Sequence, residues 1–230
     1  MTGGNLEGIS SMATRQILAE LVETYREKTG RTVAIASIGG VDAARRVREG
    51  EAFDVVVLAN DALEKLEAEG HLVAGSRTGF TLSALAVATK AEAGPLVFAD
   101  EAAVRESVRR AATIGYSTGP SGTYLLNLLK RWGIDEEVGP RLRQAPPGVP
   151  VGTMVARGDA EIGFQQTSEL VGVPGIVLAG PLPSSVAFET LFAAAVATRS
   201  PDPAAARDFV TFLAAPETEA AKRRNGMAPA

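Results

Sequence analysis

The chain has no cysteine and a single histidine, His71. Disulfides and thiolate chemistry are therefore excluded, and no His/Cys cluster exists to hold zinc or another transition metal, so no metal and no cofactor are expected. A Ser-His-Asp triad would have to recruit His71 from the polar connection EGHLVAGS, which offers little of the geometry a triad needs. No basic block offsets the formal charge of −4, which argues against a nucleic-acid partner. No run approaches the roughly 18 consecutive apolar residues of a membrane span, so membrane insertion is not expected. The start, MTGGNLEGISS, lacks a charged region followed by an apolar one. Taken as native, that start places the chain in the cytoplasm; with a signal peptide removed, the expected location is periplasmic or extracytoplasmic. GPSGTY lacks the lysine of a phosphate-binding GxxxxGK[ST] loop. Met1, Met12, Met154 and Met227 are too scattered for a metal or partner stripe and read as fillers or ends.

What is present suffices for a sizeable core: 230 residues, 46% of them apolar. Ile17, Leu18, Leu21, Val22 and Tyr25 recur at helical spacing between Ser10 and Gly30, with Gly30 as a C-cap. Thr32–Ile38 reads as a strand ending in Gly39-Gly40, followed by a helix over Val41–Arg48. Phe53–Asp61 reads as an apolar strand and Ala62–Glu69 as a helix. Strands alternating with helices at this spacing predict parallel β-α-β units, with ligands at the C-terminal ends of the strands. Two long strands, in TLSALAVATK from Thr81 and LFAAAVATR from Leu191, bracket a middle block of further alternating elements. The expected fold is therefore α/β with two lobes, residues 1–82 plus 189–230 and residues 83–188, and a ligand cleft between them. Helices over 204–214 and 216–225 close the chain, and Lys222-Arg223-Arg224 reads as a solvated turn favouring the helix dipole.

Three stretches suit an anion, because a helix N-terminus leaves backbone N–H groups unpaired and carries about half a positive charge. The fullest is Thr113–Gly133, a short strand, a loop with Ser117, Thr118, Gly119, Pro120, Ser121, Gly122 and Thr123, and a helix carrying Leu125, Leu128, Leu129 and Trp132. The others are Ser10, Ser11, Met12 and Ala13 before the first helix, and Gly39-Gly40 before the second. Serine and threonine at a helix start also predict plain capping, and composition alone leaves both readings open.

Several strings, in this order and spacing, resemble one family: the Ser10–Ser11 loop, FDVVVLANDALEKLEAEGHL, LSALAVATK, GPSGTYLLNLLKRWG, ARGDAEIGF, LFAAAVATR and FVTFLAAPETEAAKRRNGM. Together they span essentially the whole chain and are similar to the type II periplasmic binding proteins, in the molybdate-binding-protein-like branch. The resemblance implies a two-lobed fold with two crossover strands and a central ligand cleft. It also implies a monomeric solute-binding protein that takes a small anion and works with an ABC transporter membrane component in uptake or sensing. Carried over residue by residue, the oxyanion ligands fall on Ser10, Ser11, Met12 and Ala13, on Gly39 and Gly40, on Ser121, Gly122 and Thr123, and on Gly148 and Val149. Gln165-Gln166 stands where the branch has a tyrosine. Ala13 replaces the first ligand serine and Gly39-Gly40-Val41 the second, so the pattern for molybdate is incomplete. Two amides in exchange favour a larger organic ligand such as a carboxylate.

A second class resembles the same branch: aconitate isomerase, a cofactor-independent enzyme moving a proton next to a carboxylate of an unsaturated acid. That chemistry needs a tuned acid–base group and donors for developing charge. The residues available for it are Glu7, Asp42 and Glu169, with Arg15, Arg45 and Arg46 as carboxylate partners. The absence of an obvious acid–base pair favours binding alone.

Overall fold

The computed structural model describes residues 5–146 and 148–230; Met1, named above, lies outside them. The chain opens with β1 (Leu6–Ser11), α1 (Arg15–Thr29), β2 (Val33–Ile38), α2 (Gly40–Arg48), β3 (Val55–Ala59) and α3 (Asn60–Ala68). A long strand, β4 (Thr78–Lys90), leads to α4 (Glu101–Arg110), β5 (Ile114–Tyr116), α5 (Pro120–Trp132), α6 (Asp135–Val138) and β6 (Leu142–Gln144). There follow α7 (Val151–Arg157), β7 (Ile162–Gln166), α8 (Thr167–Leu170) and β8 (Ile176–Leu178). The chain ends with β9 (Glu189–Val196), α9 (Pro203–Ala214), α10 (Glu219–Arg224) and β10 (Ala228–Pro229). It divides into two compact units, one of residues 1–83 and 191–230, the other of residues 84–190.

In the first unit β1 lies between β2 and β3, parallel to both, and β3 pairs antiparallel with β9. β3 is apolar at every position because both of its faces are covered. Val55, Val57 and Ala59 point to the α1/α9 side, where Leu18, Leu21 and Phe209 are buried. Val56 and Leu58 point to the α2/α3 side, against Val47, Leu63 and Leu66. β9 repeats the alternation, with Phe192, Ala194 and Val196 on the first face and Ala193 and Ala195 on the second. The alanines let helices approach the sheet closely on that second face.

In the second unit β7 pairs parallel with β5 and antiparallel with the C-terminal half of β4, while β6 extends the sheet beyond β5 in parallel. One face of β7, Ile162 and Phe164, packs into the core formed with Leu125, Leu128 and Leu129 of α5. The other face is kept small: a β carbon on Gly163 would lie 2.6 Å from Val151 and 2.7 Å from Val155 of α7. Glycine there sets how near α7 sits to the sheet.

The Ser10–Ser11 segment, expected to be a loop, is strand, and Gln165-Gln166 are strand as well. Ser10 and Ser11 are the last residues of β1, paired with Ser37 and Ile38. Gln165 and Gln166 are the last residues of β7, paired with Ala86 and Leu85. Backbone pairing satisfies these polar residues' main chains, so their side-chain polarity does not end the strand. Lys222 is not solvated either: it is 2% exposed, with its ammonium 5.8 Å from the centre of the Phe80 ring.

Candidate functional site

Each unit gathers its polar loops at one edge, the C-terminal ends of its parallel strands. In the first unit β1, β2 and β3 run in one direction, and α1, α2 and α3 start where they end. None of these helices has a side-chain cap, and α2 and α3 have Gly39 and Ala59 at the N-cap. By contrast, α4 and α9, which follow no parallel strand, are capped by Asp100 on the Ala103 N–H and by Asp202 on the Ala205 N–H. The expected side-chain caps are thus missing from α1, α2 and α3, leaving first-turn N–H groups open at this strand edge, although the short helices α6 and α10 elsewhere lack them too.

Ser10 and Ser11 point to opposite faces of β1. Ser10, fully buried on the face covered by α1, shares a 2.8 Å hydrogen bond with Ser37 Oγ. Ser11 lies on the α2 side, its Cβ 3.6 Å from where a β carbon on Gly40 would stand. Its hydroxyl is buried and has no hydrogen-bond partner. A buried hydroxyl in that state carries a cost of about 1–3 kcal/mol, which makes it conspicuous beside an open helix start. Ala13 packs into the apolar core and offers no polar group, and Met12 is half-buried beside it.

In the second unit β5, β6 and β7 end at a common edge, where α5 and α8 start and the Ala145–Pro150 connection leads into α7. α5 is again without a side-chain cap, with Gly119 at its N-cap. Ser117 Oγ and Ser121 Oγ are 2.9 Å apart, and the Gly119 N–H donates to Ser117 Oγ. The loop curls so tightly over the helix that a β carbon on Gly122 would lie 1.8 Å from the Ser117 carbonyl oxygen. Thr123 is exposed and its N–H returns to Gly119 O. Gly148 occupies a positive-φ turn in which the Val149 N–H is already given to Pro146 O, so Val149 is not a free donor.

The two glutamines have different partners. Gln165 Oε1 accepts the Val151 N–H at 2.8 Å, capping α7, and its Nε2 donates to Glu169 Oε1 at 2.8 Å. Burial pushes the Glu169 carboxyl up to about 7, against the smaller lowering effect of the Gln165 bond. Gln166 Nε2 donates to Thr190 Oγ1 at 2.6 Å, while its Oε1 is buried without a partner. Ser11 Oγ and Gln166 Oε1 are the two such atoms among the described residues, and each stands at the strand edge of its unit.

The other charged residues read from the sequence are placed elsewhere or already paired. Glu7 is exposed in β1, four residues before the strand's end. Asp42 is not a cap; it sits in the first turn of α2 and pairs with Arg45 at 3.6 Å, while Arg45 also meets Glu49. Arg46 pairs with Glu51, and Arg15 is exposed at the start of α1. What sequence reasoning missed is the Gln165–Glu169 contact; its visible trace is the i, i+4 spacing across a strand–helix junction. Among the described residues no group of three or more His, Asp or Glu could hold a metal, and no helix is long and apolar enough to cross a membrane.

A two-unit α/β chain with open helix starts at the strand edges is the architecture of a solute-binding protein. The chain belongs to the bacterial extracellular solute-binding protein family, whose pattern matches residues 6–228. It is 33% identical to aconitate isomerase of Pseudomonas sp over 227 residues, covering 96% of this chain and 86% of that protein. It is 27% identical to the molybdate-binding protein of Azotobacter vinelandii over 210 residues, covering 87% and 80%. The solved periplasmic molybdate-binding protein from Azotobacter vinelandii superposes with a TM-score of 0.81 at 20% identity, over 97% of this chain and 98% of that one. Binding proteins of this kind take small anionic ligands and work with ABC transporters, and members of the family are periplasmic or extracytoplasmic.

Proposed function

We propose that this protein binds a small organic carboxylate and delivers it to an ABC-type membrane component. The observation that carries the reading is that the long helices starting at the ends of the parallel strands, α1, α2, α3 and α5, have no side-chain cap. Open N–H groups at a helix start favour an anion. The proposed contacts in the first unit are Ser11, Gly39 and Gly40, and in the second Ser121, Gly122 and Gln166; Ser10, expected among them, is buried against Ser37. Molybdate fits the site less well, since Ala13 supplies no hydroxyl and Ser10 is engaged by Ser37. The test is a thermal-shift panel of molybdate, tungstate, sulfate and di- and tricarboxylates. A ligand at 100 times its Kd stabilises by about 2.7 kcal/mol. A carboxylate hit is expected; a shift with molybdate alone, or with no anion, overturns the reading.

One observation favours a second reading, catalysis on an unsaturated acid: the Glu169 carboxyl, lifted to about 7, is poised to exchange a proton near neutral pH. The 33% identical relative is an isomerase by name. Incubation with trans-aconitate in heavy water separates the two readings. Isomer formation with deuterium uptake, lost in Glu169→Gln, establishes the enzyme, whereas binding without exchange over hours leaves the receptor.

A further inference from the structure

Within the proposed site, one atom bears on what the ligand must look like. β7 alternates strictly. Gly163 and Gln165 face α7, while Ile162 and Phe164 face the core shared with α5. Gln166 therefore points to the α5 side. Because β5 and β7 are parallel, with Tyr116 opposite Phe164, Gln166 lies at the same end of the sheet at which α5 begins. That end of α5, a helix of 13 residues with no side-chain cap, draws negative charge. Gln166, 1% exposed, has its amide held by Thr190 and its carbonyl oxygen left without a donor. The two features ask for opposite things: the helix start wants an anionic oxygen, and the glutamine oxygen repels one and wants an O–H or N–H.

We propose that Gln166 makes the site selective for anions that carry a hydroxyl or a retained acid proton, over fully ionised anions of the same size. The class indicated is the hydroxylated organic acid, with a singly protonated oxyanion as the inorganic equivalent. This rests on the anion-binding reading above and deepens it. A bare carboxylate or sulfate oxygen would leave the Gln166 acceptor unsatisfied in the complex, and a pocket built to hydrogen-bond a hydroxyl discriminates strongly against the analogue lacking it.

Matched pairs provide the test, measured by calorimetry on the whole chain at pH 7: citrate against tricarballylate, malate against succinate, and phosphate against sulfate. Within each pair that binds, the hydroxyl-bearing member should bind at least about tenfold more tightly. In Gln166→Met, with circular dichroism confirming the fold, the ratio should fall towards one, mainly by weakening the hydroxylated member. Tighter or equal binding of tricarballylate, succinate and sulfate by the unaltered protein overturns the proposal, as would happen if the amide NH2 met the ligand. A ratio unchanged in folded Gln166→Met also overturns it and leaves the anion-binding reading standing. Failure of every anion to bind removes both. If Gln166→Met does not fold, the pairs measured on the unaltered protein decide alone.

Discussion

Gln165 donates its amide N–H to Glu169 across 2.8 Å while accepting the first N–H of α7 with its oxygen, so one side chain ties a carboxyl to a helix start. The carboxyl is held up to about 7 because burial disfavours its charge by more than this bond favours it. The sign for stability follows. Between the ordinary value of 4.5 and about 7 the folded state keeps a proton that the unfolded state has lost, so stability declines as pH rises through that window. The slope is at most about 1.4 kcal/mol per pH unit. Urea unfolding at pH 5 and pH 8 should show the decline, and Glu169→Gln should flatten it and stabilise the protein at pH 8. An unchanged pH profile in Glu169→Gln would place the titrating group elsewhere.

Gly122 and Gly119 look alike in the sequence and should respond differently to alanine. At Gly122 the new methyl would overlap the Ser117 carbonyl at 1.8 Å, whereas at Gly119 its nearest neighbour is Ser117 Oγ at 3.8 Å and φ is −85°. Gly122→Ala must push the loop off the start of α5. It is expected to destabilise by about 1–3 kcal/mol and to abolish anion binding, while Gly119→Ala stays within about 1 kcal/mol of the parent. Thermal melts with and without a saturating anion check both.

Lys222 gives a prediction of the opposite sign. Burial lowers its pKa, and its ammonium faces the Phe80 ring. The unfolded state therefore holds the proton more firmly than the folded state, so this residue's contribution to stability improves as pH rises towards the ordinary lysine value of 10.5. Lys222→Met keeps an unbranched chain in the same space without the charge. It should stabilise at pH 7 by an amount on the order of 1 kcal/mol, with the gain shrinking by pH 10. A loss of stability at pH 7 would show that the contact with Phe80 outweighs desolvation.

These residues also mark where the sequence was readable. β3 and β9 were legible because burial on both faces demands unbroken apolar runs, VVVLA and LFAAAV. α1 was legible because its buried positions Ile17, Leu18, Leu21 and Tyr25 keep one helical period. β1 was not, since LEGISS holds two large apolar residues among a glycine and two serines. Its identity comes from pairing on both sides with β2 and β3, which no local pattern announces. The glutamines' place in β7 was hidden for the same reason, polar tips on a strand fixed by β4. Lys222 was hidden in a run of three charges, although Ala221 and Lys222 face inward while Arg223 is exposed. The candidate site was legible as three glycine- and serine-bearing helix starts; which of their hydroxyls and amides lack partners is set by neighbours distant in the chain.

Ser11 provides the sharpest separation of stability from function. Its hydroxyl is buried and unpartnered, whereas the neighbouring Ser10 hydroxyl is bonded to Ser37. Removing an unsatisfied polar group takes away a desolvation cost, so Ser11→Ala should leave the ligand-free protein equally stable or more stable by up to about 1 kcal/mol. Removing Ser10 instead strands the Ser37 hydroxyl, and Ser10→Ala should destabilise by about 1 kcal/mol. If the Ser11 hydroxyl is kept for the ligand, the order reverses on binding: Ser11→Ala should weaken the anion by about tenfold. Melting curves of the two variants, with and without the anion found in the panel, resolve the four values. Ser11→Ala lowering the ligand-free melting temperature would mean that the hydroxyl supports the fold. An unchanged affinity would remove Ser11 from the site while leaving the α2 start as the first unit's contribution.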